Sequence, residues 1–151
     1  MLRLILVAFI LVSINVSTHA IGMVELFEWI IRRRSHIEEK SRPRDRIWLL
    51  IRIFAVIICL HLAQISAWAA FYALWGGLGD FETALYFSIS SYTTIGYGDV
   101  VLPPRWRLLG GIEGVTGVLM FGWSTGAIFA VASRLFAIQM ERKKISAGQK
   151  G

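Results

Sequence analysis

The chain has 151 residues, of which 56% are hydrophobic and only 17% charged, so it is too apolar for an ordinary water-soluble domain. At this length it forms one domain at most, and its composition favours an integral membrane protein. The formal net charge is +6, and the basic residues concentrate in two short segments. This pattern suits loops on the cytoplasmic side of a membrane better than a nucleic-acid surface. The single cysteine, Cys59, excludes an intrachain disulfide and is expected to be a small buried side chain.

The first apolar segment, residues 4–24, predicts a membrane helix within residues 1–31. At about 1.5 Å per residue it covers about 31 Å, which matches the hydrocarbon core of a bilayer. His19 lies within it and is expected to hydrogen-bond a neighbouring helix, with a proton-sensing or ligand-binding role as the alternative. The segment also resembles a secretory signal peptide that is cleaved after Ala20.

A basic loop follows over residues 32–46, and its excess of arginine and lysine predicts a cytoplasmic location. The next apolar stretch, residues 47–75, predicts a second membrane helix. His61 and Gln64 lie on neighbouring turns of this helix and are expected to face the protein interior. The glycine-rich segment 76–79 then ends the helix.

Residues 80–92 form a shorter apolar segment, with Asp80 as the predicted N-cap and Glu82 in the first turn. The segment is too short to cross a bilayer, so it predicts a re-entrant helix that enters the membrane and leads into the next loop. The C-terminal end of such a helix carries partial negative charge and favours a cation in front of it.

The loop over residues 93–99 reads Thr-Thr-Ile-Gly-Tyr-Gly-Asp. Carbonyl groups of successive residues point to one side only when the backbone alternates between ordinary and left-handed torsions. Glycine enters the left-handed region without steric cost. Gly96 and Gly98 on either side of Tyr97 therefore predict a row of inward-facing carbonyl oxygens. A simple glycine turn is the alternative interpretation.

Pro103 and Pro104 exclude a helix through the next loop, and a third apolar span covers residues 107–138. A short basic tail, residues 139–151, follows and is again predicted to be cytoplasmic. With both basic segments on one side, the N-terminus lies outside, the C-terminus inside, and the glycine-containing loop opens to the outside. Cleavage after Ala20 would leave the basic loop outside, so an uncleaved first helix is the consistent interpretation.

The loop sequence, set between apolar spans, resembles the selectivity filter of the potassium channel superfamily, whose loops read Thr-Val-Gly-Tyr-Gly. Ile95 replaces the valine with another β-branched residue. Residues 47–138 resemble the two-helix pore module of that superfamily, which implies an all-α membrane protein to which the first helix is an addition. The resemblance implies that K⁺ is bound by filter residues Thr94, Ile95, Gly96, Tyr97 and Gly98, with Thr93 and Asp99 supporting the filter.

The resemblance also implies an assembly. Each chain carries one filter and a pore of this kind needs four, so a homotetramer is expected. The implied partners are other copies of this chain, membrane lipid and K⁺ as the permeant ion, without a cofactor or nucleic acid. The implied location is a plasma membrane, such as a bacterial inner membrane. The tail is too short for a sensing domain, so gating by a ligand would need a separate regulatory protein.

The helix before the filter departs from the superfamily pattern. Many members carry paired tryptophans that brace the filter tyrosine, and those positions here hold Tyr86 and Phe87. Ser90 stands where members often have glutamate or valine, and its hydroxyl is expected to bond either the filter backbone or its own helix. Glu113, near the outer end of the third span, is expected to find a partner near the re-entrant helix, with Ser90 or Ser91 as contacts.

The third span is rich in glycine. Gly110, Gly114 and Gly117 share one face at helical spacing and permit close approach of another helix. Superfamily members often have a hinge glycine midway along this helix. Gly117 and Gly122 are both candidate hinges, and a packing role alone is the alternative.

Together these features predict a potassium-selective ion channel that conducts passively. The sequence shows no phosphate-binding glycine loop, clustered metal ligands or nucleophile–base pair, so an enzyme is not predicted. The alternatives are a weakly selective monovalent cation channel and a non-conducting membrane subunit with a vestigial filter.

Overall fold

The computed structural model describes residues 1–32 and 43–148. This part of the chain contains helices, turns and loops but no strand. Its helical elements, in chain order, are α1 at Leu2–Arg32, α2 at Pro43–Phe71 with a π-helical turn at Tyr72–Gly76, α3 at Phe81–Tyr92 and α4 at Arg107–Gly148.

Three of these helices are long and apolar enough to cross a bilayer, namely α1, α2 with its π-helical turn, and α4. The predicted all-helical membrane fold with an additional N-terminal helix is thereby confirmed. Most of the predicted basic loop, residues 33–42, lies outside the described residues, as does the end of the predicted tail, residues 149–151.

Helix α4 continues past Ile138, where the sequence predicted its end, to Gly148. Residues 139–147 are rich in strong helix formers, and neither glycine nor proline interrupts them. The change to a charged composition after Ile138 therefore marks the end of the apolar span and not the end of the helix.

The second span ends in a widened turn. Residues Tyr72–Gly76 are π-helical, and Gly77 follows in a left-handed conformation with a φ angle of 86°. The Gly77 N–H group donates a hydrogen bond to the Tyr72 carbonyl and so caps the helix. The helix therefore ends within the predicted glycine-rich segment, with the Tyr72 side chain fully buried.

A side chain forms a hydrogen bond to the backbone at each end of helix α3. The Asp80 carboxylate accepts a hydrogen bond from the Thr83 N–H group at 2.8 Å, which confirms Asp80 as the N-cap. At the other end the Thr93 hydroxyl donates to the Ile89 carbonyl at 2.6 Å. These bonds define where the chain enters and leaves the short helix.

Helix α3 packs between α2 and α4, and α1 packs against both α2 and α4. A cluster of buried side chains surrounds α3 and includes Trp68, Tyr72, Tyr92 and Leu109. A second cluster joins α1, α2 and α4 through Met23, Leu26, Ile53, Ile57 and Ala127. The additional helix is therefore part of the packed body and shares a core with the other two spans.

The burial of side chains on α2 agrees with the sequence expectation except at Cys59. His61 and Gln64 are buried, as their spacing predicted. Cys59 is exposed, so its predicted burial is wrong. At about 100° per residue, Cys59 lies about 200° around the helix from His61 and therefore on the opposite face.

Candidate functional site: a backbone-lined loop

The loop after α3 has a regular alternation of backbone conformation. Thr94, Gly96 and Gly98 have positive φ angles of 60°, 58° and 79°, and Ile95 and Tyr97 between them do not. Such alternation turns the carbonyl groups of successive residues toward the same side. The loop therefore has the backbone geometry needed for a row of oxygen ligands around a dehydrated cation.

Thr94 is a predicted filter residue, but its left-handed conformation was not predicted from the sequence. A side chain in the left-handed region costs roughly 1–2 kcal/mol, so surrounding contacts must hold it there. The Thr94 N–H group donates to the Ser91 carbonyl at 3.0 Å, and this bond ties the strained residue to the end of α3. The only signal in the sequence is its position two residues before Gly96.

Ser90 connects α3 to the loop at two points. Its carbonyl accepts a hydrogen bond from the Gly96 N–H group at 3.1 Å, and its side-chain Oγ accepts one from the Tyr97 N–H group at 3.2 Å. Of the two hydroxyl partners that the sequence left open, the structure therefore shows the loop backbone. With these N–H groups bonded to α3, the loop is held with its carbonyl groups free for another partner.

Tyr86 and Phe87 have different surroundings within one chain. The Tyr86 hydroxyl donates to the Asp99 carboxylate at 2.7 Å. Its ring lies nearly parallel to that of Tyr97, with 10° between the planes and 6.3 Å between the ring centroids. Phe87 instead packs edge-on against Tyr72, at a centroid distance of 5.2 Å. Tyr86 therefore contacts the loop directly, whereas Phe87 contacts α2.

The Tyr86 hydroxyl lowers the pKa of Asp99 below its ordinary value of 3.8 because it donates to the ionised carboxylate, and the Val100 N–H group adds to the effect. The stability that this bond contributes is present above the ordinary pKa and is lost as the pH falls through the lowered one. Replacing Tyr86 by phenylalanine is expected to raise the pKa of Asp99 toward 3.8. An NMR titration of labelled aspartate carboxyl groups in micelles measures the pKa of Asp99. An unchanged pKa in the variant would contradict the hydrogen bond between Tyr86 and Asp99.

Glu113 is fully buried in α4 and contacts α2. The Tyr72 hydroxyl donates to Glu113 Oε2 at 2.9 Å, which replaces the expected contact with Ser90 or Ser91. Ser88 of α3 lies beside the same carboxyl group, but neither its hydroxyl nor Glu113 Oε1 has a hydrogen-bond partner of good geometry. The π-helical turn of α2 places Tyr72 in this position, and nothing in the local sequence around Glu113 indicates it.

Replacing Tyr72 by phenylalanine is expected to destabilise the folded protein by about 1–3 kcal/mol, because the buried carboxyl group loses its donor. The free energy of unfolding in detergent measures this cost. In a Glu113→Leu background the same replacement should cost much less, since no acceptor remains. Equal costs in the two backgrounds would show that the hydroxyl does not act through Glu113.

The glycine face of α4 packs against the end of α3. A Cβ atom on Gly117 would lie 2.0 Å from the Tyr92 carbonyl oxygen, and one on Gly114 would lie 3.1 Å from the Ser91 carbonyl oxygen. A Cβ atom on Gly110 would lie 3.1 Å from Cζ of the Phe87 ring. The predicted close approach along this face is therefore present, and Gly117 is the position where a side chain has no space.

The loop and the adjacent face of α4 remain open in one chain. Ile95 and Tyr97 are 54% and 67% exposed, and Val115 and Leu119 on α4 are 63% and 62% exposed. Backbone outside regular helices is tolerated at membrane depth only where protein or water surrounds it. One chain by itself therefore does not enclose this loop.

The sequence matches a protein family described as "Ion channel" over residues 47–134, which include α2, α3, the loop and most of α4. It is also similar to potassium channel subfamily K member 18 of Homo sapiens, with 38% identity over 68 residues, or 45% of this chain and 17% of the relative. The chain thus matches less than a fifth of that relative's length. No solved structure matches the chain.

The family match, unlike the relative, covers more than half of the chain. It indicates a channel and not an enzyme, and it implies no cofactor. Within residues 1–32 and 43–148, no group of three or more His, Cys, Asp or Glu side chains is placed to hold a metal ion. On the combined ground of the membrane spans, the loop geometry and the family match, the chain belongs to the ion channel family.

Proposed function

We propose that this protein is a potassium-selective channel that conducts K⁺ passively through the loop at residues 93–99. The carbonyl oxygens of Thr94, Ile95, Gly96 and Tyr97 replace the hydration shell of the ion, and the Thr94 hydroxyl adds a further ring of oxygens. The observation that carries this proposal is the alternation of positive φ angles at Thr94, Gly96 and Gly98. The similarity to a relative named as a potassium channel supports it.

The proposed assembly is a homotetramer in which four copies of the loop surround one axis. Each chain supplies a single loop, and the exposure of Ile95 and Tyr97 provides a surface for neighbouring chains to cover. A closed ring of identical subunits is the usual way to enclose such a pore. The C-terminal ends of four α3 helices would then favour a cation on the axis below the filter.

The proposed orientation places the filter toward the outside of a plasma membrane. The basic segments 32–46 and 139–151 then lie in the cytoplasm and the N-terminus lies outside. The pore module of the proposed channel covers residues 47–138, with α1 as an additional element.

Gly122 is the proposed hinge of α4. Gly117 packs closely against Tyr92 and leaves no space for a Cβ atom, whereas a Cβ atom on Gly122 would meet nothing within 4 Å. A hinge requires a residue that absorbs a change of torsion without losing contacts. Gly122 therefore fits this role better than Gly117.

A flux experiment on purified protein in liposomes tests the function. We expect K⁺ efflux that barium blocks, and native mass spectrometry of the detergent-solubilised protein should show four chains. Equal permeability to Na⁺ would replace the proposal with a weakly selective cation channel. No flux from a protein without fourfold assembly would identify a non-conducting subunit.

A further inference from the structure

A group of buried polar side chains lies where α1, α2, α3 and α4 meet. None of its members is more than 7% exposed. They come from all four helices and comprise Asn15 and His19 of α1, His61 and Gln64 of α2, Tyr92 of α3 and Ser124 of α4. Polar groups at membrane depth are costly unless they bond one another, so their arrangement needs a specific explanation.

Five of these side chains, all except Asn15, form a continuous set of hydrogen bonds. The Asn15 side chain donates to the Leu11 carbonyl of its own helix, and Asn15 joins the set only through its backbone carbonyl. On the α1 side, Gln64 Nε2 lies 3.1 Å from the Asn15 carbonyl oxygen and 3.1 Å from His19 Nδ1. His19 Nε2 lies 3.3 Å from Ser124 Oγ. The set therefore runs from α2 through α1 to α4.

The remaining hydrogen bonds lead from Ser124 of α4 back to Gln64 of α2. Ser124 Oγ lies 3.1 Å from His61 Nε2, and His61 Nδ1 lies 3.1 Å from the Tyr92 hydroxyl. The Tyr92 hydroxyl in turn donates to Gln64 Oε1. Since Gln64 is also where the set begins, the bonds close into a ring of five side chains.

The proton positions in this ring follow from one bond. Because the Tyr92 hydroxyl donates to Gln64, it accepts from His61 Nδ1–H, which leaves His61 Nε2 to accept from the Ser124 hydroxyl. Ser124 Oγ then accepts from His19 Nε2–H, and His19 Nδ1 accepts from Gln64. With both imidazoles neutral, each ring bond has one donor and one acceptor.

Helix α1 is needed to complete this ring. Without His19 and the Asn15 carbonyl, both hydrogens of Gln64 Nε2 lose their acceptors, and Ser124 Oγ loses a donor. Gln64 is also the group that accepts from Tyr92. The additional helix therefore acts on the same side chain that fixes the end of α3.

The position of Tyr92 connects the ring to the filter. Tyr92 is the last residue of α3 and directly precedes Thr93, and its carbonyl packs on Gly117 of α4. Its hydroxyl is fixed by Gln64 and His61. A displacement of Tyr92 would therefore be passed along one peptide bond to the start of the loop.

We infer that α1 helps to position the filter. It does so by completing the hydrogen-bonded ring of His19, Gln64, Tyr92, His61 and Ser124. This inference rests on the proposed function of the loop. His19 and Gln64 are positioning residues, since they act on the filter through Tyr92 and do not contact the ion.

The test compares three variants with the full-length wild-type protein in liposomes. His19→Leu removes both ring bonds of α1, His19→Gln supplies one acceptor and one donor, and Tyr92→Phe removes only the hydroxyl. Ser17→Leu, on the exposed face of α1, is the matched control for a polar-to-apolar change in the same helix. The measurements are tetramer content, K⁺ flux per tetramer, the K⁺ to Na⁺ permeability ratio and the rise in melting temperature that K⁺ produces.

We expect His19→Leu and Tyr92→Phe to assemble but to lose roughly tenfold in flux or in permeability ratio, the order of magnitude that follows from the loss of buried hydrogen bonds. A further variant that combines His19→Leu with Tyr92→Phe should be no worse than either single variant, because both changes act on the same ring. His19→Gln should recover most of the loss, and Ser17→Leu should behave as wild type.

Wild-type flux and permeability ratio in His19→Leu and Tyr92→Phe would overturn the inference and leave the proposed function intact. A lower melting temperature with unchanged flux per tetramer would show that the ring only stabilises the fold, which also overturns it. If His19→Leu does not assemble, Tyr92→Phe decides between these results. Absence of K⁺ flux and of K⁺-dependent stabilisation in the wild type would instead overturn the proposed function.

Discussion

Replacing Gly96 by alanine is expected to reduce K⁺ flux by roughly a hundredfold or more, because four left-handed alanines in the proposed tetramer cost about 4–8 kcal/mol in total. Gly96 has a φ angle of 58°, and a Cβ atom there meets nothing within 4 Å. The expected loss therefore comes from the backbone torsion and not from a clash. Relief of that torsion turns a peptide group and removes an oxygen ligand from the row.

The measurement is K⁺ efflux from liposomes, normalised to the amount of assembled tetramer. Gly111→Ala is the matched control, since Gly111 lies within helix α4 and a Cβ atom there also meets nothing within 4 Å. We expect the control to conduct as wild type. Flux that survives in Gly96→Ala would show that the ion does not pass along this backbone.

Replacing Gly117 by alanine is expected to have the second large effect, on assembly and stability. The new Cβ atom would lie 2.0 Å from the Tyr92 carbonyl oxygen and 3.0 Å from its carbonyl carbon. Both contacts are with backbone, so α4 must move away from the end of α3. Overpacking of this kind costs typically about 1–3 kcal/mol, and it recurs in every subunit of the proposed tetramer.

Thermal unfolding in detergent and K⁺ flux per tetramer measure this effect. Gly122→Ala is the comparison, because the same change there meets nothing within 4 Å. We expect Gly117→Ala to lower the melting temperature and Gly122→Ala to leave it unchanged while altering the open fraction of the channel. A Gly117→Ala protein as stable as wild type would contradict the packing role.

Much of the architecture could be predicted because its signals are local. Apolar length predicts the three spans, the glycines after Trp75 predict the end of α2, and Asp80 predicts the start of α3 through its own side-chain bond. The left-handed backbone at Gly96 and Gly98 is permitted by the residue type and was indicated by their spacing around Tyr97. These features depend on the chain within a few residues of themselves.

The remaining features depend on contacts between distant parts of the chain. The Tyr72–Glu113 bond joins residues 41 positions apart, and the bond between His19 and Ser124 joins residues 105 apart. The sequence indicated that His19 hydrogen-bonds a neighbouring helix, but it did not indicate which residue is the partner. Thr94 takes a left-handed conformation only because the loop around it imposes one, against the preference of its side chain.

The most direct test of the central claim is the reversal potential of the purified protein in a planar bilayer, with opposed tenfold gradients of K⁺ and Na⁺. A carbonyl-lined, potassium-selective filter predicts a reversal potential about 59 mV from zero, at the equilibrium potential of K⁺. A reversal potential at zero would show that the loop does not select K⁺ over Na⁺, and the proposed function would be contradicted.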